Sequence, residues 1–147
     1  MNYSLNLLEI LGTNIARELT REQRLPEERL FQAIILQAFE DALSIGEMKQ
    51  DAYAKQDSFN WFSTISDDFD TVCWFANFDP EIIRNKFNEL VRNKTIHYTK
   101  KQLKWLRYRF LYKQYREVET KQERRQILKE IKEIEGLKKE KRIVKVE

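Results

Sequence analysis

Only five positions in this chain of 147 residues can interrupt a helix by their own chemistry: Gly12, Gly46, Gly136, Pro26 and Pro80. Glycine loses backbone freedom inside a helix, and proline removes a donor and clashes with the preceding turn. The stretches between are rich in Leu, Ile, Glu, Lys, Arg and Gln, which enter helices at little cost. The chain therefore reads as all-α, with the breakers as punctuation. The length allows one domain with a real core, plus an extension.

The apolar spacing sets out the helices. Leu5, Leu8, Leu11, Ile15 and Leu19 recur at helical intervals and predict a first helix over 3–20. Pro26 suits the first turn of a second, running to about Ser44, whose Leu30, Phe31, Ile34, Ile35, Leu36 and Phe39 leave few polar positions. A helix apolar nearly all round belongs in the middle of a bundle. A third is predicted from about Glu47 to Thr64, with Phe59, Trp61 and Phe62 as core residues. The pair Glu40–Asp41 lacks a His or a further carboxylate motif and reads as a solvated edge.

The segment from Val72 to Phe87 carries the functional reading. It predicts a helix starting near Asp67, a tight turn, and a second helix opening Asp79-Pro80-Glu81, which is the outline of a helix-turn-helix over 67–92. Val72 and Cys73 take paired core positions, and Ala76 is small enough to pack before the turn. Asn77 occupies the place where glycine is commonest, and Asn tolerates positive φ. Phe78 anchors the turn, Asp79 caps, Pro80 fits the first helical position, and Ile83 and Phe87 face inward. The remaining faces of the second helix would be exposed. Ile82, Arg84, Asn85, Lys86 and Asn88 are the candidates for DNA contact, since Arg and Asn pair with guanine and adenine edges and Lys suits phosphate.

The run Asp51-Ala52, Asn60-Trp61-Phe62 and Asp68-Phe69-Asp70-Thr71-Val72-Cys73-Trp74-Phe75-Ala76-Asn77-Phe78-Asp79-Pro80-Glu81-Ile82-Ile83-Arg84 resembles a small helical family from phages, prophages and alphaproteobacteria. Its pattern is Ala-x-x-Trp-Phe, Asp-Phe-x-x-Val-Cys, Ala-Gly-x-Asp-Pro and a Val-Arg pair. Here Asn77 replaces the Gly and Ile83 the Val. The likeness covers roughly residues 30–90 and implies a small helical, DNA-associated protein with no defined activity.

The charge is unevenly placed. Residues 1–99 hold 10 Lys/Arg and 16 Asp/Glu, net −6, whereas residues 100–147 hold 17 and 8, net +9. An acidic front and a basic rear suggest a domain with an extension that binds polyanions or a partner. The expected organisation is a compact helical bundle over 1–98, a long basic amphipathic helix over 99–135, and a mobile charged tail over 136–147. Thr99 would cap that helix, and Leu103, Leu106 and Phe110 would form a seam packing on the domain. Lys100, Lys101, Lys104, Arg107 and Arg109 are candidates for phosphate contact, with Trp105, Tyr108 and Tyr112 as rings on which unpaired bases could stack. Ile127, Ile131 and Ile134 make a narrow stripe suited to a homodimer or a protein partner.

No Ser/His/Asp or Cys/His set, phosphate-cradling Gly loop or ligand-spaced metal cluster is evident, so neither an enzyme nor a metal or cofactor protein is expected. His97 is the only histidine and reads as a surface or cap residue. Cys73 has no partner for a disulfide and reads as a core thiol. No apolar run reaches membrane-spanning length and no signal peptide is evident, which points to a cytoplasmic protein. The resulting expectation is a small DNA-binding regulator of transcription contacting double-stranded DNA. The alternatives are an RNA or single-strand binder using Trp105, Tyr108 and Tyr112, or a protein-interaction module.

Overall fold

A computed structural model describes residues 5–146, with side chains over 6–136, and shows eight helices and no strand among them. The first two are α1 (Leu5–Leu11) and α2 (Thr13–Leu19), so the single helix expected over 3–20 is broken at Gly12. Residues 3 and 4 of that expectation lie outside the described residues. Gly12 has φ 91°, a conformation that strains any residue with a Cβ. Next comes α3 (Pro26–Leu43), whose first position holds the ring of Pro26 and whose first turn carries Glu27 and Glu28, favourable at the positive end of a helix. It is followed by α4 (Lys49–Ser63), α5 (Asp67–Phe75) and α6 (Pro80–Arg92). The second helix of the expected helix-turn-helix is α6, ending at Arg92.

The basic third is two helices, α7 (Lys100–Glu117) and α8 (Lys121–Val146), where one helix to about Glu135 was expected. Thr99 caps α7 in a reciprocal box: its side chain accepts from the Gln102 amide, and the Gln102 side chain accepts from the Thr99 amide. Val118 then turns extended at ψ 143°, and the Thr120 hydroxyl accepts from the Glu123 amide to start α8. The α8 backbone continues through Gly136 to Val146, where the sequence suggested a mobile tail. Glu147 and the side chains of 137–146 lie outside the described residues.

Two compact units result. The first comprises residues 1–45 and 54–97, the second 46–53 and 98–147. A division after residue 98 therefore omits the stretch 46–53, which groups with the C-terminal helices.

The first unit is built around Leu11, Ile15, Leu19, Ile35, Phe39, Phe62, Phe69, Cys73, Ile83 and Phe87, all buried. Each fully buried side chain of this size contributes about 1.5–3 kcal/mol by leaving water. The rings are in direct contact, with Phe62 stacked on Phe87 at 4.5 Å and tilted on Phe39 at 4.7 Å between centroids. Phe59 and Trp61 are half-buried and pack against this core. The helix expected to be enclosed, α3, is not: Leu30 is 62% and Ile34 43% exposed.

In the second unit α7 and α8 form a hairpin, with Arg107 paired to Glu130 at 3.1 Å and the Tyr108 hydroxyl donating to Glu135. Leu111 and Ile131 are buried there, and Ile127 and Ile134 are half-buried. The isoleucine stripe expected to meet a partner is thus largely used within the chain. The seam expected on α7 is also displaced: Leu103 and Phe110 are more than half exposed, and the covered face is formed by Gln102, Trp105, Tyr108 and Leu111.

Candidate nucleic-acid interface

The α5–turn–α6 segment is made by local chemistry. Asp67, Asp68 and Asp70 occupy the first turn of α5, and the Ser66 hydroxyl accepts from the Phe69 amide. At the other end the Phe78 amide donates to Cys73 O at 2.9 Å and the Asn77 amide to Trp74 O at 3.0 Å. That pair of bonds is the Schellman closure, and it requires a left-handed residue at Asn77, which has φ 65°. Buried Phe78 seals the turn, and the Asp79 carboxylate accepts from the Glu81 amide to start α6. Gln32, fully buried on α3, donates to Ala76 O at 3.0 Å and accepts from Arg24 at 2.9 Å, so the turn is held from beneath.

Pro80, Ile83, Phe87 and Leu90 form the inner face of α6. Ile82, Asn85 and Asn88 are exposed, as the sequence indicated. Arg84 is not: its Nε donates to Phe62 O at 3.1 Å, its guanidinium lies 4.5 Å from the Phe69 ring centroid, and one Nη is buried. A long side chain can fold back along its helix when a ring and a carbonyl lie beneath it. Arg84 is therefore a packing residue, and the role given it in base contact is withdrawn. Lys86 is bound to Glu89 at 2.7 Å, which holds the Glu89 carboxyl below its ordinary pKa. An open groove of about 480 Å³ separates this face of α6 from the α1–α2 elbow. Ile82, Asn85, Lys86 and Glu89 line one side, and Gly12, Thr13 and Asn14 the other.

The basic candidates lie on α7, in the second unit. Lys100, Lys104 and Arg107 are exposed, the last paired with Glu130. Lys101 is bound to Glu47 at 2.8 Å. Arg109 stacks 4.7 Å from the Tyr53 ring centroid and donates to Tyr53 O, so it is a packing residue too. The rings proposed to stack on bases are turned on one another. Trp105 meets Tyr108 edge-on at 5.6 Å and Tyr108 meets Tyr112 at 4.8 Å. The Trp105 indole donates to Glu47 O. Burial and the hydrogen bonds to Tyr112 and Glu135 push the Tyr108 phenol up. By sequence count the first unit carries 9 Lys/Arg and 14 Asp/Glu, net −5, and the second 18 and 10, net +8, so charge segregates with the units.

Among the described residues, four buried polar side chains, Gln32, Lys55, Ser58 and Gln102, have no counterpart in the sequence reading. Lys55 is fully buried, donates to Ser44 O and His97 O, and is lowered by burial to about 8. Gln102 donates to Gly46 O at 3.1 Å. Cys73 is buried, and burial together with nearby Asp70 pushes its thiol up to about 12, opposite to what a nucleophile needs. Among the described residues no three His, Cys, Asp or Glu converge on a possible metal position, and no helix is long and apolar enough to cross a membrane. The chain matches no protein-family model, no curated protein and no solved structure.

Proposed function

We propose that the protein is a small DNA-binding regulator in which α6 enters the major groove of a duplex and the basic second unit supplies phosphate contacts. The observation that carries this reading is the Asn77 turn. Its left-handed closure, the Asp79 cap and the inward Ile83 and Phe87 together leave Ile82, Asn85 and Asn88 projecting from α6. Asn can donate and accept at one adenine edge, and an apolar side chain can meet a thymine methyl. Lys86 sits beside them for phosphate, and Lys100, Lys104 and Arg107 are the exposed bases of α7. The likeness of residues 30–90 to the phage-associated helical family agrees with this reading and names no target.

The test is fluorescence anisotropy of labelled duplex and single-stranded oligonucleotides across a salt series. Preference for the duplex, with affinity falling steeply as salt rises, is the expected result. No duplex binding at moderate salt would sink the reading. A second reading, protein docking without nucleic acid, is favoured by the exposure of Trp74, Phe75, Leu103 and Phe110, and it predicts binding to neither strand form.

A further inference from the structure

Two exposed apolar surfaces on this molecule are complementary to each other in charge. The first lies where α3 packs on α5. Leu30 and Ile34, one turn apart on α3, are 62% and 43% exposed, and the Phe31 ring between them stacks at 5.1 Å on Phe75, which is 56% exposed. Acidic residues outnumber basic ones on the two helices that carry this patch, although Glu28 is paired with Arg21 and Arg24 reaches Gln32. Glu27 stands one turn before Leu30, Asp41 two turns after Ile34, and α5 opens with three Asp. Together α3 and α5 hold seven Asp/Glu and a single base, Arg29.

The second surface is the outward face of α7. Leu103 and Phe110, two turns apart and 52% and 53% exposed, flank exposed Arg107, with Lys100, Lys104 and Lys113 around them. This helix holds seven Lys/Arg and one acid, Glu117. Leu103 and Phe110 thus stand as exposed apolar side chains among basic ones. Large apolar side chains ringed by charge mark interaction sites. The usual occupant of a patch such as the first is an amphipathic helix anchored by residues at these intervals.

We infer that the protein self-associates head to tail, the α7 face of one molecule seated on the α3–α5 patch of another. Phe110 and Leu103 supply the apolar anchors, and opposite rims of charge set the orientation and discourage pairing of like surfaces. The two surfaces differ, so each contact joins unlike faces, and the assembly is a reciprocal dimer, a ring or an open chain. Exposed ion pairs are screened over about 8–10 Å at moderate ionic strength, so salt weakens the assembly, and duplex phosphate competes with it for Lys100, Lys104 and Arg107.

Sedimentation velocity on the nuclease-treated full chain tests this. Wild-type mean mass should rise with concentration and return toward that of the monomer on adding salt. Ile34→Glu and Phe110→Glu, both at exposed positions and checked for unchanged circular dichroism, should each be monomeric. Mixed in equal amounts they should form a capped one-to-one complex, because each retains the surface the other has lost. A wild type that stays monomeric at every concentration overturns the inference. So does assembly that survives either substitution, or a mixture that forms no complex.

Discussion

The Arg84 guanidinium lies over Phe69 and reaches the carbonyl of Phe62, although its position on α6 adjoins the exposed Asn85. Arg84→Ala should therefore cost stability, about 1–3 kcal/mol, through the lost cation–π contact and the lost hydrogen bond. Chemical unfolding would show it, and an unchanged midpoint would return Arg84 to the surface. Lys55 gives a pH signature. Its pKa falls from 10.5 to about 8 on folding, so between these values the unfolded chain binds more protons and stability rises with pH. Cys73 works in the opposite sense: its pKa rises from 9.0 to about 12, so stability is lost as pH climbs past 9.0. Comparing wild type with Lys55→Met cancels the thiol contribution. From pH 8 to 9 the wild type should gain about 1 kcal/mol relative to the variant, and parallel pH profiles would remove the buried ammonium from the account. Neither Arg84 nor Lys55 was legible in sequence, because an Arg or Lys on an amphipathic helix reads as solvated until the ring or carbonyls that receive it are in place.

At the scale of elements, most starts and stops were legible because they are local. Pro26, Asp79-Pro80 and the Thr99/Gln102 box sit where caps act through neighbouring backbone amides. The break between α7 and α8 carried the same kind of signal, Thr120 followed three residues later by Glu123, but the apolar and basic periodicity running across it read as one helix. Gly12 and Gly136 make opposite predictions. Gly12→Ala should destabilise by about 1–2 kcal/mol, because φ 91° strains an L residue even though the new Cβ would meet Lys86 Nζ at an ordinary 3.6 Å. Gly136→Ala should stabilise by about 0.5–1 kcal/mol, since it lies inside α8 and an added Cβ meets nothing within 4 Å. Urea midpoints check both signs: a stabilised Gly12→Ala would contradict the elbow at Gly12, and a destabilised Gly136→Ala would contradict the account of α8.

Across the whole molecule, the separation of charge into units of −5 and +8 governs how binding should respond to salt. If α7 contacts phosphates, replacing Lys104 and Arg107 together by Ala should lower the slope of log affinity against log salt by up to about 2, one counterion release per contact. Asn85→Ala should leave that slope unchanged and cost about 1–3 kcal/mol on a selected duplex sequence. Anisotropy titrations separate the two effects, and a slope indifferent to the double substitution would remove α7 from the interface. The helical class, the turn at Asn77, the caps around it and the apolar faces of α5 and α6 are all readable from the residues alone, since each depends on backbone preferences and spacings within a few residues. Long-range packing is what turns Arg84, Lys55, Gln32 and Gln102 inward, buries Ile131 within the chain and leaves Leu30, Ile34, Leu103 and Phe110 facing solvent. Those outcomes depend on which distant segment supplies a carbonyl, a ring or a covering face, and helical periodicity holds no information about that.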